Sequence, residues 1–158
     1  MNTIEASITV KNVSIAIVIA RFNEIINNNL LMGALDILIR IGKIPKENIL
    51  KIYVPGAYEI PLISNYLANS GKYDAIIAIG TIIKGNTYHF KNIANDTTST
   101  LLKISTKYCI PITLGLLITE NIEQSIERSG CKMGNKGSEA ALSALEMINV
   151  MKKIKKYC

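Results

Sequence analysis

The stretch Ser14–Ala20 reads SIAIVIA: after the serine, every residue is Ile, Val or Ala. An uninterrupted run of this kind has no polar face. It suits a strand buried on both sides, as in a parallel sheet covered by helices. The longest apolar run, Val13–Ala20, has eight residues, whereas a membrane-spanning helix needs about 20. Three further runs of strand length follow: Asn48–Val54 (NILKIYV), Tyr73–Gly80 (YDAIIAIG) and Ile110–Ile118 (IPITLGLLI). Longer stretches of helical period separate them. The first starts near Asn23, a good N-cap residue, places Leu31, Ala34, Leu38 and Ile41 on one face, and ends at Gly42. The second reaches about Asn69, with Pro61 tolerated in its first turn. The third runs from near Thr87 to about Lys107. A short helix over about 121–129 and the loop GCKMGNKG precede a last helix that Ser138 can cap, with Ala141, Leu145, Ile148 and Met151 on one face. Ser7–Val10 (SITV) reads as a further short strand that pairs away from the main sheet.

Strands alternating with helices predict one α/β domain over 1–158: a three-layer sandwich with a four-stranded parallel sheet, helices on both faces and a short N-terminal strand. A chain of 158 residues has room for one such unit. Its hydrophobic content of 49% and mean hydropathy of +0.26 exceed what that sheet needs, and point also to subunit interfaces. The opening MNTIEASITV lacks the basic flank and apolar core of a secretory signal. Cys109, Cys131 and Cys158 are odd in number, far apart and without a CxxC pair. They read as free thiols in a reducing cytoplasm, and with one histidine they make no zinc site. The net charge of +6 comes partly from the lysines of Lys152–Lys156 (KKIKK), which suit a helix C-terminus. With 6% aromatic residues and no aromatic-basic stripe, nucleic acid is not the expected partner. An anionic small molecule fits the charge better.

In parallel sheets, ligands bind beyond the carboxyl ends of the strands, so the segments following each strand carry the candidate chemistry. Gly80–Thr87 (GTIIKGNT) follows a strand and opens a helix, the setting of a P-loop. Asn86 stands where that motif needs its lysine, which excludes a triphosphate. Gly85, Asn86 and Thr87 are left either as a plain glycine turn or as a backbone site for a single phosphate or carboxylate. His89, the one histidine, is either an ordinary hydrogen-bond partner or a general acid/base. The positive end of a helix favours its neutral ring. Phe22 is either an apolar staple at a helix entry or a stacking face for a planar heterocycle. Glu59 either complements a helix N-terminus or accepts from sugar hydroxyls. Arg128, the only arginine in the second half of the chain, suits a helix end. It can equally grip phosphate bidentately. Lys132 and Lys136 are either solvated loop residues or added positive charge.

Five segments in order (ARFNEIINNNLLMGALDIL, VPGAYEIPL, DAIIAIGTIIKGNTYHF, PITLGLLITENIEQSIERSG and GNKGSEAALSALEM) run from Ala20 to Met147 and carry a match that extends from Ser14 to about Val150. Together they resemble the 6,7-dimethyl-8-ribityllumazine synthase family of riboflavin biosynthesis. The resemblance implies a flavodoxin-like fold, no metal or organic cofactor, and two small-molecule substrates. These are 5-amino-6-(D-ribitylamino)uracil and 3,4-dihydroxy-2-butanone 4-phosphate. It implies that Phe22 stacks on the pyrimidine and that Ala57, Tyr58 and Glu59 line the ribityl chain. Thr81, Ile82 and Ile83 would hold the uracil edge, Gly85, Asn86 and Thr87 would cradle the phosphate, and His89 would shuttle protons. Leu114, Arg128 and Lys136 match residues that the family supplies from a neighbouring subunit, with Arg128 on the phosphate. Leu114 replaces a frequent aromatic, Lys84 a frequent Arg and Asp96 a frequent Glu, which shortens any carboxylate reach to His89. Pentamers follow from a shared site. The short SGCKMGNKG loop matches members that build icosahedral shells of twelve pentamers, in which riboflavin synthase is a candidate cargo and SITV can join a neighbour's sheet. A non-catalytic flavin- or lumazine-binding shell, or a riboflavin synthase of similar fold, are the other readings.

Overall fold

A computed structural model describes residues 1–157. Four parallel strands form the sheet: β1 (Ile15–Ala20), β2 (Ile49–Val54), β3 (Ala75–Ile83) and β4 (Ile112–Thr119), in the order β2-β1-β3-β4. This is the flavodoxin-like order: the chain steps outward from β1 to β2, then crosses back to β3 on the other side. Helices α1 (Glu24–Asp36) and α5 (Lys136–Ile154) cover one face. Helices α2 (Ile60–Ser70) and α3 (His89–Tyr108) cover the other.

The two cores follow from strand alternation. Ile15, Ile17 and Ile19 of β1 and Ala75, Ile77 and Ile79 of β3 pack under α1 and α5 with Leu30, Leu38, Ala141 and Leu145. Ala16, Val18 and Ala20, with Ile76 and Ala78, face α2 and α3 against Ile60, Leu67 and Leu101. All six β1 residues are buried, as the unbroken apolar run requires. Each large side chain removed from water in these layers contributes roughly 1.5–3 kcal/mol.

Several boundaries differ from the sequence expectation, for local physical reasons. β3 does not stop at Gly80 but continues three residues, with Thr81, Ile82 and Ile83 opposite Leu117, Ile118 and Thr119. Gly80 is there for packing. A Cβ would crowd Leu116 at 3.2 Å while meeting Ile60 and Ala20 at ordinary contact distances of 3.4 and 3.5 Å, so the glycine chiefly lets the Leu116 side chain close over the strand. Helix α3 begins at His89 rather than Thr87, which leaves Gly85–Thr87 as a loop before the helix. Asn23 precedes α1 but does not cap it through its side chain. It sits in the left-handed region (φ 65) and donates from Nδ2 to Thr81 O at 2.9 Å. Beyond Asp36 the first helix continues as a π-helical turn, Ile37–Ile41, with Gly42 N–H donating to Ile37 O at 2.8 Å. Across that junction Arg40 forks onto Asp36 at 2.9 and 2.8 Å and, chiefly through these hydrogen bonds, holds its carboxyl below the usual range.

The loop after the short helix α4 (Ile122–Glu127) is a small hairpin, β5 (Ser129–Cys131) with β6 (Gly134–Asn135). The cap of α5 is Asn135, not Ser138: its Oδ1 accepts from Gly137 N at 2.9 Å and Ser138 N at 3.1 Å. Ser7–Val10 forms no strand within the chain. Asn149 Nδ2 instead donates to Ser7 O (2.6 Å) and Thr9 O (2.8 Å). Lys152 and Lys153 donate to the carbonyls of Lys11 and Glu5, so these lysines clip the N-terminal segment onto α5. Cys109 and Cys131 are free and exposed; Cys158 lies outside the described residues. Among the described residues, no helix is long and apolar enough to cross a membrane.

Candidate active site

A cavity of about 790 Å³ opens at the carboxyl ends of β1, β2 and β3, on the α2/α3 side of the sheet. This is where the strand order reverses between β1 and β3, the place such sheets offer a ligand. Four segments build its wall: the β1–α1 corner with Phe22, the Pro55–Glu59 turn, the β3 end with Thr81–Ile83, and the start of α3.

Phe22 is 73% exposed, so it does not pack as a staple; its ring presents an open apolar face to the cavity. Its backbone, in contrast, is held. Arg21 N–H donates to Val54 O at 2.8 Å and Phe22 N–H to Pro55 O at 3.1 Å. Residues 57–59 form a single 3₁₀ turn ahead of α2. There Glu59 Oε2 accepts from Gly56 N–H at 2.9 Å, so the carboxylate braces the turn while lining the cavity beside Ala57 and Tyr58. Ala57 is buried, its carbonyl accepting from Thr97 Oγ1 at 3.4 Å, and Tyr58 is exposed. Thr81, Ile82 and Ile83 line the wall at the end of the strand. Gly85 and Thr87 line it from the loop, and His89 stands at the first position of α3.

Asn86, in the same loop, is exposed and does not line the cavity. Nor do Leu114, Arg128 and Lys136. Leu114 is the third residue of β4, opposite Ala78, toward the amino end of the sheet. Arg128 and Lys136 flank the β5–β6 hairpin, joined by Lys136 N–H to Arg128 O at 3.0 Å. The hairpin is tied to α1, on the opposite face, by Asn135 Nδ2 donating to Asn29 O at 2.9 Å. Lys136 Nζ pairs with Glu139 at 3.0 Å, and Lys84 Nζ with Glu120 at 2.6 Å.

The wall therefore carries two carboxylates, Glu59 and Asp96, and no lysine or arginine. Among the described residues, no group of three or more His, Cys, Asp or Glu side chains is arranged to hold a metal.

Sequence reasoning missed part of the wall. From α3 come Phe90, Asn92 and Ile93, beside His89 and Asp96, both already named from the sequence. The spacing of His89, Asn92, Ile93 and Asp96 at i, i+3, i+4 and i+7 is one helix face, so the signal was present, although its polar members do not look like a buried stripe. Asn23, Pro55 and Gly56 also line the site, and nothing in their types announces it.

The match to known proteins spans nearly the whole chain. The family model described as 6,7-dimethyl-8-ribityllumazine synthase matches residues 12–152. The chain belongs to the 6,7-dimethyl-8-ribityllumazine synthase family. A protein of that name from Buchnera aphidicola subsp. Acyrthosiphon pisum (strain Tuc7) is 74% identical over 99% of this chain and 98% of its own length. One from Buchnera aphidicola subsp. Schizaphis graminum (strain Sg) is 72% identical over the same shares. One from Yersinia pestis (strain Pestoides F) is 54% identical over 98% of this chain and 99% of its own. The Phe22 ring, Glu59, Gly85, Thr87 and His89 all line this one cavity.

Proposed function

We propose that this chain condenses 5-amino-6-(D-ribitylamino)uracil with 3,4-dihydroxy-2-butanone 4-phosphate to give 6,7-dimethyl-8-ribityllumazine, releasing phosphate and water, as the penultimate step of riboflavin biosynthesis. The amine condenses with the ketone with loss of one water, phosphate is eliminated, and the ring closes with loss of a second water. Such a reaction needs two reactants held together, protons moved and an anion stabilised. Phe22 supplies the face on which the pyrimidine stacks. The strand-end backbone of Thr81, Ile82 and Ile83 meets the uracil edge. Ala57, Tyr58 and Glu59 take the ribityl chain, with the Glu59 carboxylate accepting from hydroxyls. Gly85, Asn86 and Thr87 receive the phosphate, and His89 carries protons between the reacting amine, the carbonyl and the departing phosphate. The direct test is the purified protein with both substrates, following lumazine absorbance and phosphate release. No acceleration over the spontaneous condensation would eliminate this reading in favour of a non-catalytic lumazine- or flavin-binding shell.

The observation that carries the shared site is the absence of any lysine or arginine from the cavity wall. A dianionic phosphate beside Glu59 and Asp96 needs a cation from elsewhere. Arg128, with Lys136, meets that need from an adjacent subunit, which also brings Leu114. Arg128→Ala is expected to raise KM for the phosphate ester about 10–100-fold, with little change for the pyrimidine. If the site is shared, mixing an Arg128→Ala protein with a His89→Ala protein through dissociation and reassembly restores part of the activity, because some sites then combine intact His89 with intact Arg128. No recovery in reassembled mixtures, with each parent refolding normally, would place Arg128 in the site of its own subunit.

Exposed apolar side chains support assembly. Ile122 and Ile126 lie one turn apart on α4, Leu62 and Tyr66 likewise on α2, and Leu114 and Ile118 sit on edge strand β4. Such surfaces and open sheet edges are normally covered. The compact β5–β6 hairpin, in place of a long insertion, supports pentamers assembled into an icosahedral shell, with riboflavin synthase as a candidate cargo. Electron microscopy is expected to show closed shells; isolated pentamers alone would refute them. The exposed free thiols Cys109 and Cys131 support a reducing, cytoplasmic setting.

A further inference from the structure

Asn27 is fully buried in α1 and does not line the cavity, yet its side chain makes three hydrogen bonds, two of them to the wall residues Phe22 and Thr81 from behind. Its Nδ2 donates to Ala20 O at 2.7 Å and to Phe22 O at 2.8 Å. Its Oδ1 accepts from Thr81 Oγ1 at 2.7 Å. The direction of each bond is forced. Carbonyls only accept, so the amide nitrogen must face them, and the threonine hydroxyl must then donate to the amide oxygen. No other side chain of this size offers two donors and one acceptor in that arrangement. Aspartate cannot donate when ionised, and leucine leaves all three partners unpaired.

We infer that Asn27 is a positioning residue for the pyrimidine half of the site, locking the Phe22 platform to the strand end that meets the uracil edge. The inference rests on the lumazine-forming function proposed above. Because the Phe22 ring is exposed, side-chain packing does little to place it; backbone hydrogen bonds do most of the work. Pro55 O holds its N–H from the β2 side, and Asn27 holds its carbonyl from the other. Thr81 is fixed in the same way, its hydroxyl by Asn27 and its carbonyl by Asn23 Nδ2. Asn27 also keeps the register of α1, its N–H donating to Asn23 O at 3.1 Å. No hydrogen bond among the described residues joins Asn27 to Gly85, Thr87 or His89, so the phosphate half is positioned independently of it.

The test is steady-state kinetics with each substrate varied in turn, on the assembled wild type, Asn27→Leu and Thr81→Val. Asn27→Leu keeps the branching and heavy-atom count and strands the three partners, and KM for the ribitylaminouracil is expected to rise about tenfold. KM for the phosphate ester should stay within about twofold, a change below one lost hydrogen bond. Thr81→Val removes one bond and keeps the β-branched shape, with an expected rise of about threefold in the pyrimidine KM alone; it carries the test should Asn27→Leu fail to fold. A merely structural asparagine would lower the active fraction, so apparent kcat would fall with both KM values unchanged. That result, or an equal rise in both KM values, overturns the inference while leaving the function standing. A wild type that does not accelerate the condensation overturns both.

Discussion

Replacing Gly137 with alanine is expected to destabilise the protein by about 3 kcal/mol, the upper part of the range for forcing a group into a packed core. For a chain of this length that is a fall of about 10 °C in thermal midpoint, read by calorimetry or denaturant unfolding. Gly137 is the second residue of α5, and a Cβ there would lie 1.9 Å from Leu30 O and 2.6 Å from Leu30 C. Both are backbone atoms of α1, and Leu30 is itself fully buried, so neither helix has room to retreat. Helix propensity argues the other way, since alanine in place of glycine should stabilise a helix by up to about 1 kcal/mol. The sign of the measured change therefore decides between local propensity and helix-on-helix contact. The same substitution pushes on Asn135, which caps α5 and bonds Asn29 O. The hairpin carrying Arg128 and Lys136 shifts with it. Stability and the phosphate-ester KM should worsen together, whereas the Asn27 variants affect the pyrimidine.

His89→Ala is expected to lower kcat by about 10²-fold, the low end for loss of a general acid/base, and to leave KM for both substrates nearly unchanged. The low end applies because amine addition to a ketone proceeds without a catalyst, and the walls that hold the two reactants together remain. His89 lies at the first position of α3, exposed and facing the cavity, so its removal disturbs no core contact and the fold should melt as the parent does. Lumazine formation followed by absorbance gives kcat directly. An unchanged kcat would make the histidine a bystander and leave positioning as the source of the rate.

The architecture was legible in the letters because burial on both faces leaves no alternative pattern. The Ile/Val/Ala run of β1 can only be a covered strand, and the four strand segments in alternation with helical period specify a parallel sheet with its site at the carboxyl ends. The candidate residues were legible for a related reason: Phe22, Glu59, Gly85 and His89 are chemically unusual at the points where strands end. Boundaries were less legible where a tertiary contact overrode a local signal. Gly80 reads as a strand terminus, but its missing Cβ makes room for Leu116, and the strand runs on. Asn23 and Ser138 both read as caps. One is drawn into the left-handed region and bonds Thr81 O, and the other is displaced by Asn135.

The sequence by itself determined the fold class, the end of the sheet that holds the site and its chemically distinctive residues Phe22, Glu59, Gly85, Thr87 and His89, because periodicity and residue chemistry are local and survive without coordinates. Ala57, Tyr58 and Thr81–Ile83 came only from the family resemblance. Only the tertiary structure decided three things that depend on distances between remote segments. It brought α3 residues one turn apart onto the cavity wall. It buried Asn27 behind Phe22 and Thr81, residues five and 54 positions away in the chain. And it set Arg128 on the side of the sheet away from the cavity, leaving two carboxylates without a cation, an electrostatic gap that a second subunit would fill.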